Sequence, residues 1–152
     1  KDFYETLKKQ IQKANDIGVL IMAGTDVTDS YTFAGFSLHD ELKDLTEFGL
    51  SNLEALQTAT LIPAKYANLQ TSFGSVEKGK IADLIILDEN PLDNIENTTK
   101  INSVLLNGVI YDSKKIDQLK VSTESIASSF HMNIKVFISL VSSPLIRVQF
   151  AD

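Results

Sequence analysis

Val19-Leu20-Ile21-Met22-Ala23-Gly24-Thr25-Asp26 is a short apolar run that ends in a glycine, a threonine and an aspartate. An amphipathic helix is predicted before it, because apolar residues recur at helical spacing between Phe3 and Ala14, and Gly18 suits the end of that helix. A continuous apolar run of this length is typical of a strand covered on both faces, as in parallel sheets and barrels. The sequence therefore predicts a buried strand over residues 19–23 that ends at Asp26.

The segment after Asp26 predicts a loop and then several helices. Residues 27–37 are rich in Thr, Ser, Gly and Asp, and a helix with its end at Gly49 follows them. Ser51 and Glu54 have the spacing of a capping box, with Ser51 as the N-cap of the next helix. Pro63 suits the first turn of a further short helix.

Beyond Gly74 the pattern changes from helical to antiparallel β. Residues 82–88 predict a strand, and residues 101–111 predict a hairpin around Asn107-Gly108, because a type I′ turn requires positive φ at both central residues. Residues 113–130 are polar and helical in pattern, and the apolar patches of residues 134–150 are strand-like.

The composition indicates a soluble globular protein, with 43% hydrophobic and 22% charged residues. A net charge of −6 without a Lys/Arg cluster argues against a nucleic-acid partner. The chain has no cysteine, which excludes disulfides, thiolate metal sites and a cysteine nucleophile. Lys135, Arg147 and a Ser-Ser-Pro segment interrupt the longest apolar stretch, so we expect no membrane span. No signal peptide is visible, and the start at Lys1 leads us to expect a truncated N-terminus, which leaves the compartment open.

Several ordered segments resemble the amidohydrolase superfamily, nearest its imidazolonepropionase-like and prolidase-like branch. Each segment alone is weak, and the ordered set over about residues 1–112 carries the resemblance. The run ending in Asp26 is similar to the family's eighth barrel strand, and residues 74–84 are similar to its G-x-I-x-x-G-x-x-A-D-L segment. The other similar segments are residues 37–42, 49–51, 54–60, 63–64, 90–92 and 104–111.

The resemblance implies an α/β fold: the C-terminal segment of a metal-dependent hydrolase-type (β/α)8 barrel, followed by part of a small β-sandwich domain. Residues 1–72 would be the last helix, last strand and following helices of the barrel. Residues 73–112 would be strands of the composite β domain. Residues 113–152 would be a helix and a strand-like tail of unassigned role.

The resemblance also gives Asp26 a catalytic role. In the family, the aspartate after the eighth strand binds metal and transfers a proton between the attacking water and the leaving group. The other ligands come from earlier strands and include a His-x-His pair, whereas this chain has only His39 and His131, and neither lies in such a pair. We therefore expect Asp26 to bind metal only in a full-length parent, and we expect the isolated chain to be inactive.

Other polar residues have alternative interpretations. His39 and Tyr31 are candidates for substrate binding. The alternative interpretations are that His39 is simply a residue at a helix start and that Tyr31 only packs within its loop. Asp29, Asp40 and Glu41 could be oxygen ligands, but a solvated loop and a helix N-terminus explain them better. Asp83 is expected to have a structural role at a strand start.

The functional hypothesis is a hydrolase that cleaves C–N bonds, in amides, cyclic amides or peptides, through metal-activated water. Its expected cofactor is a divalent metal, zinc, in the full-length parent, and its expected partner is a small-molecule amide or peptide substrate. The alternative is a non-catalytic fragment or degenerate relative that acts only through self-association, since an incomplete barrel exposes strand edges. We expect the isolated chain to be a homo-oligomer, with rearranged packing of the apolar residues 134–150 as the alternative way to cover the predicted strand.

Overall fold

The structure, a computed structural model, describes residues 2–27 and 31–126. The chain divides into two compact units, Lys1–Ile110 and Tyr111–Asp152. The helices are α1 (Asp2–Asp16), α2 (Ser37–Glu47), α3 (Asn52–Thr58), α4 (Leu61–Tyr66), a 3₁₀ helix (Ile95–Thr99) and α5 (residues 113–126). The strands are β1 (Leu84–Leu87), β2 (Ile101–Leu106) and β3 (Val109–Asp112).

Glycines end the first two helices, as the sequence predicts. Gly18 has φ 82° and Gly49 has φ 104°, in the left-handed region that favours glycine. At the end of α1, the Val19 N–H donates to the Ala14 carbonyl at 2.9 Å, and the Leu50 N–H donates to the Leu45 carbonyl at 3.1 Å after α2. Both helices therefore close with hydrogen bonds that span five residues, the Schellman pattern.

The predicted capping box at the start of α3 is confirmed. The Glu54 N–H donates to Ser51 Oγ at 3.2 Å, and the Ser51 N–H donates to Glu54 Oε2 at 2.7 Å. Asn15 Nδ2 of α1 donates to Glu54 Oε1 at 3.3 Å, so the capping residue also connects α1 with α3.

The strands form a three-stranded sheet in the order β1-β2-β3 within the described residues. β1 pairs antiparallel with β2, with Leu84 opposite Leu105 and an irregularity after Ile86. Asn107 and Gly108 have φ 51° and 76°, which confirms the predicted turn between β2 and β3. The Asn107 N–H donates to Asp83 Oδ1 at 3.0 Å, so the aspartate before β1 holds this turn.

The core of the first unit lies among its helices. Its buried cluster consists of Leu42, Leu45, Leu50, Ala55 and Ile95, which come from α2, the chain after it, α3 and the 3₁₀ helix. Partly buried side chains from α1, α3 and the segment after α1 pack against it: Ile11, Ile21, Ala23, Leu56 and Ala59.

Residues 19–23 differ from the buried strand that the sequence predicts. They have no strand conformation in the structure, and Val19, Leu20 and Met22 are 50%, 67% and 42% exposed. A strand requires a neighbouring strand for its backbone hydrogen bonds, and β1, β2 and β3 pair only among themselves within the described part of the chain. Only Ile21 and Ala23 pack against the core. The assignment of this segment to an eighth barrel strand stays a prediction.

The second unit is described as far as residue 126. Asp112 Oδ1 accepts a hydrogen bond from the Lys115 N–H at 2.9 Å, at the start of α5. The strand-like residues 134–150 and His131 lie outside the described residues. In the part that is described, no helix combines the length and apolar character needed to cross a bilayer.

Candidate functional site

Asp26 follows the segment packed on the core and lies outside any helix or strand. Its φ of 51° is left-handed, a conformation that aspartate adopts more readily than most residues with a side chain. The Asp26 residue is exposed, and its backbone carbonyl accepts a hydrogen bond from Thr32 Oγ1 at 3.2 Å. The carboxylate is thus available to solvent and to ligands.

Two hydrogen bonds hold the backbone directly before Asp26. The Ala23 N–H donates to the Thr58 carbonyl at 3.1 Å, at the end of α3. The Gly24 N–H donates to Glu41 Oε1 of α2 at 2.7 Å. The chain that leads to Asp26 is therefore tied to two different helices.

Glu41 is not the solvated helix residue that the sequence predicts. Its second carboxylate oxygen, Oε2, is buried and has no hydrogen-bond partner among the described residues. Sequence patterns do not reveal this contact, because the backbone partner lies 17 positions earlier in the chain. The spacing of Glu41 on α2 indicated only an acidic residue near a helix start.

His39 lies in the first turn of α2, half-buried, and contacts the 3₁₀ helix. Its Nδ1 is 3.0 Å from Thr98 Oγ1, and that hydroxyl donates to the Ile95 carbonyl at 2.8 Å. Because the hydroxyl proton is committed to Ile95, Nδ1 of His39 is the donor, which leaves Nε2 as the acceptor in the neutral ring. Burial lowers the pKa of His39, and the nearby Asp40 carboxylate opposes this shift.

A cavity of about 490 Å³ opens beside His39 in the first unit. Its walls are mostly apolar and come from α2, α3, residues 73–76 and β1. Asp83 and Thr98 add polar groups to the lining, whereas Asp26 and Tyr31 are not among the lining residues. Tyr31 has φ 68° and is 92% exposed. The structure thus brings His39 to a cavity but does not bring Tyr31 or Asp26 to it.

A comparison with protein-family models matches residues 5–111 to the amidohydrolase family. The chain belongs to this family. Among solved structures, the amidohydrolase chain is similar to a Xaa-Pro dipeptidase with bound methionine in the active site, with 31% identity and a TM-score of 0.62. That match covers 70% of this chain and 25% of the dipeptidase.

Two further structures of the family give similar matches. A prolidase in complex with N-methylphosphonate-L-proline is 28% identical with a TM-score of 0.57, and the match covers 69% of this chain and 26% of that one. An amidohydrolase from Thermotoga maritima is 25% identical with a TM-score of 0.57 and the same coverage. The chain thus spans about a quarter of the length of these structures. No curated protein matches it.

Family membership implies the TIM-barrel-type fold of the superfamily and, in general, the use of divalent metals. The described residues supply only part of such a fold, namely helices and three antiparallel strands. No group of three or more His, Asp or Glu side chains in the described ranges could hold a metal ion. The described residues therefore do not fit a complete metal site, and Asp26 belongs to no such group among them.

Proposed function

We propose that this chain is part of a hydrolase that cleaves a C–N bond in a small amide, cyclic amide or peptide. The observation that carries the proposal is the family match over residues 5–111. The similar solved structures include a Xaa-Pro dipeptidase and a prolidase, so dipeptides that end in proline are the first substrates to test.

Asp26 is the catalytic residue of the chain in this proposal. Its exposed carboxylate accepts a proton from the attacking water and gives a proton to the leaving nitrogen. A carbon–oxygen bond to the water oxygen forms, the C–N bond breaks, and the products are a carboxylate and an amine. A divalent metal, zinc in this proposal, requires ligands beyond the described residues, with Asp26 as one ligand. His39 and Tyr31 remain the candidates for substrate contact.

The test compares Asp26→Asn with the unaltered protein in the full-length gene product, supplied with zinc and with Met-Pro as substrate. We expect kcat to fall by about 10²- to 10⁴-fold, the usual contribution of a general acid–base group. Asp93→Asn, which changes an exposed aspartate in the turn before the 3₁₀ helix, serves as the matched control. Undiminished turnover in Asp26→Asn would contradict the assigned role.

A second candidate function, self-association without catalysis, is favoured by one observation. Large apolar side chains are exposed on residues 19–22 and on β1, where Ile85 and Ile86 are 59% and 48% exposed. Exposed apolar side chains that cluster on a surface mark contact with more protein. A homo-oligomer of the isolated 152-residue chain would cover it, as would the remainder of a barrel.

Light scattering after size exclusion tests this second candidate. We expect the isolated chain to exceed its monomer mass of 16.8 kDa. Leu20→Glu is expected to shift the chain toward monomer, whereas Val76→Glu, at a residue that is 82% exposed and outside the helices and strands, is expected to leave the mass unchanged. A monomeric unaltered chain would rule out self-association as its function.

A further inference from the structure

Glu41 connects α2 to the backbone that leads to Asp26. It lies one helical turn after Ser37, the first residue of α2, and its Oε1 accepts the Gly24 N–H at 2.7 Å. Hydrogen bonds to ionised carboxylates are shorter and stronger than those between neutral groups. This contact therefore joins a rigid helix to a segment that has no regular secondary structure.

The position of this hydrogen bond matters because only Thr25 separates Gly24 from Asp26. Asp26 adopts φ 51°, a left-handed conformation that is less favourable than the helical or extended regions even for aspartate, so contacts of the neighbouring backbone help to keep it. The Ala23–Thr58 hydrogen bond fixes the chain one residue earlier, and the Glu41 contact fixes it at Gly24. Of these two contacts, the Glu41 contact is the one made by a side chain.

Burial of the second oxygen limits how the Glu41 carboxylate can move. Oε2 is enclosed and unpartnered within the described residues, while Oε1 makes the contact with Gly24. A buried polar atom without a partner is unfavourable and calls for a structural explanation. Holding the Gly24 amide is the role that the geometry offers.

We propose that Glu41 is a positioning residue, which orients the Asp26 carboxylate by holding the Gly24 amide in place. The effect of Glu41 on catalysis rests on the proposed function, whereas the hydrogen bond itself can be tested without any activity. The relevant variants are Glu41→Met, which keeps the length of the side chain without an acceptor, and Glu41→Gln, which keeps an acceptor oxygen.

Amide hydrogen exchange in the 152-residue chain tests the contact. We expect Glu41→Met to accelerate exchange of the Gly24 amide by about tenfold or more, because the hydrogen bond to Glu41 no longer protects this amide from exchange. Glu41→Gln is expected to retain most of the protection. Glu47→Met, at an exposed glutamate at the end of the same helix, is the matched control and should leave Gly24 unchanged.

The same contact can be tested in the unaltered chain. A through-hydrogen-bond scalar coupling between the Gly24 amide nitrogen and the Glu41 carboxyl carbon is expected, and its absence would overturn the proposal even if Glu41→Met failed to fold. Equal Gly24 exchange in Glu41→Met and the unaltered chain would also overturn it.

Kinetics of the full-length gene product test the effect on Asp26. We expect Glu41→Met to lower kcat by about 10- to 100-fold with little change in KM, because misplacing a catalytic group by about 1 Å has an effect of this size. Glu41→Gln is expected to recover most of kcat. If Glu41 acts through Asp26, adding Glu41→Met to Asp26→Asn lowers kcat no further.

The outcomes separate the two proposals. Full activity of Asp26→Asn would overturn the proposed function. The Gly24 exchange data would still decide whether Glu41 holds the Gly24 amide. A low activity of Asp26→Asn with full activity of Glu41→Met would overturn the positioning role alone. An additional loss in the double variant would show that Glu41 acts independently of Asp26, which also overturns it.

Discussion

Gly74 is packed against α4 more closely than any other residue type allows. A Cβ at this position would lie 2.7 Å from the Ala64 Cβ and 3.1 Å from the Leu61 Cα and the Thr60 carbonyl oxygen. The backbone at Gly74 also has φ 91°, outside the region that L-residues favour. Gly74→Ala therefore introduces both backbone strain and a steric clash with a helix.

The two effects can be separated with Gly79→Ala. Gly79 has φ 95°, close to that of Gly74, but a Cβ there would have no atom within 4 Å. Backbone strain destabilises both variants by about 1–2 kcal/mol. Overpacking adds about 1–3 kcal/mol to Gly74→Ala alone, because the neighbouring atoms are backbone or a short methyl on a helix and cannot rotate away.

Urea unfolding followed by circular dichroism measures the difference. With an m-value of about 2 kcal/mol/M, an extra loss of about 2 kcal/mol lowers the midpoint of Gly74→Ala by about 1 M relative to Gly79→Ala. Such a loss is a large share of the about 5–15 kcal/mol that stabilises a typical domain. Equal midpoints for the two variants would refute the close packing of Gly74 against α4.

Two further predictions concern α2 and α3. Ser51→Ala is expected to lower the free energy of unfolding by about 1 kcal/mol in urea titrations, the usual effect of removing an N-cap. The Ser51 hydroxyl also donates to Glu54 Oε2 at 2.6 Å, and this hydrogen bond is the largest cause of the lowered pKa of Glu54. An NMR titration should therefore show that pKa rising toward its ordinary value in the same variant, and an unchanged pKa would contradict this hydrogen bond. His39 has a lowered pKa in the folded chain, so the unfolded chain binds more protons as the pH falls below the ordinary value of 6.5. The stability contribution of neutral His39 is complete above about pH 6.5 and is lost as the pH falls toward the folded pKa. His39→Gln should remove this part of the pH dependence of the free energy of unfolding between about pH 7.5 and 5.5. An identical slope of the free energy against pH in the variant would argue against this role of His39.

Local signals in the sequence predict the helices and the hairpin well. The capping box at Ser51 and the turn at Asn107-Gly108 depend on residues that are neighbours in the chain, so their geometry follows from residue type and spacing. Helical periodicity places α2 for the same reason, and β1 (Leu84–Leu87) forms within the strand predicted over residues 82–88.

The segment before Asp26 could not be predicted in this way. An apolar run such as residues 19–23 becomes a strand only when other strands supply hydrogen-bond partners, and that condition depends on distant parts of a chain. The role of Glu41 was missed for a related reason, since its partner at Gly24 is not a helical neighbour. Asp26 itself was identified only by resemblance to a family, and its catalytic role stays a proposal.

The two hydrogen bonds at Ala23 and Gly24 have a consequence for redesign of the chain. A third hydrogen bond, from Thr32 Oγ1 to the Asp26 carbonyl, comes from the residues after Asp26. A redesign of those residues therefore has to keep Thr32 or accept the loss of this contact. The backbone that leads to Asp26 is attached to α2 and to the end of α3, which lie later in the sequence, so redesign of these helices changes the setting of Asp26 as directly as redesign of the residues beside it.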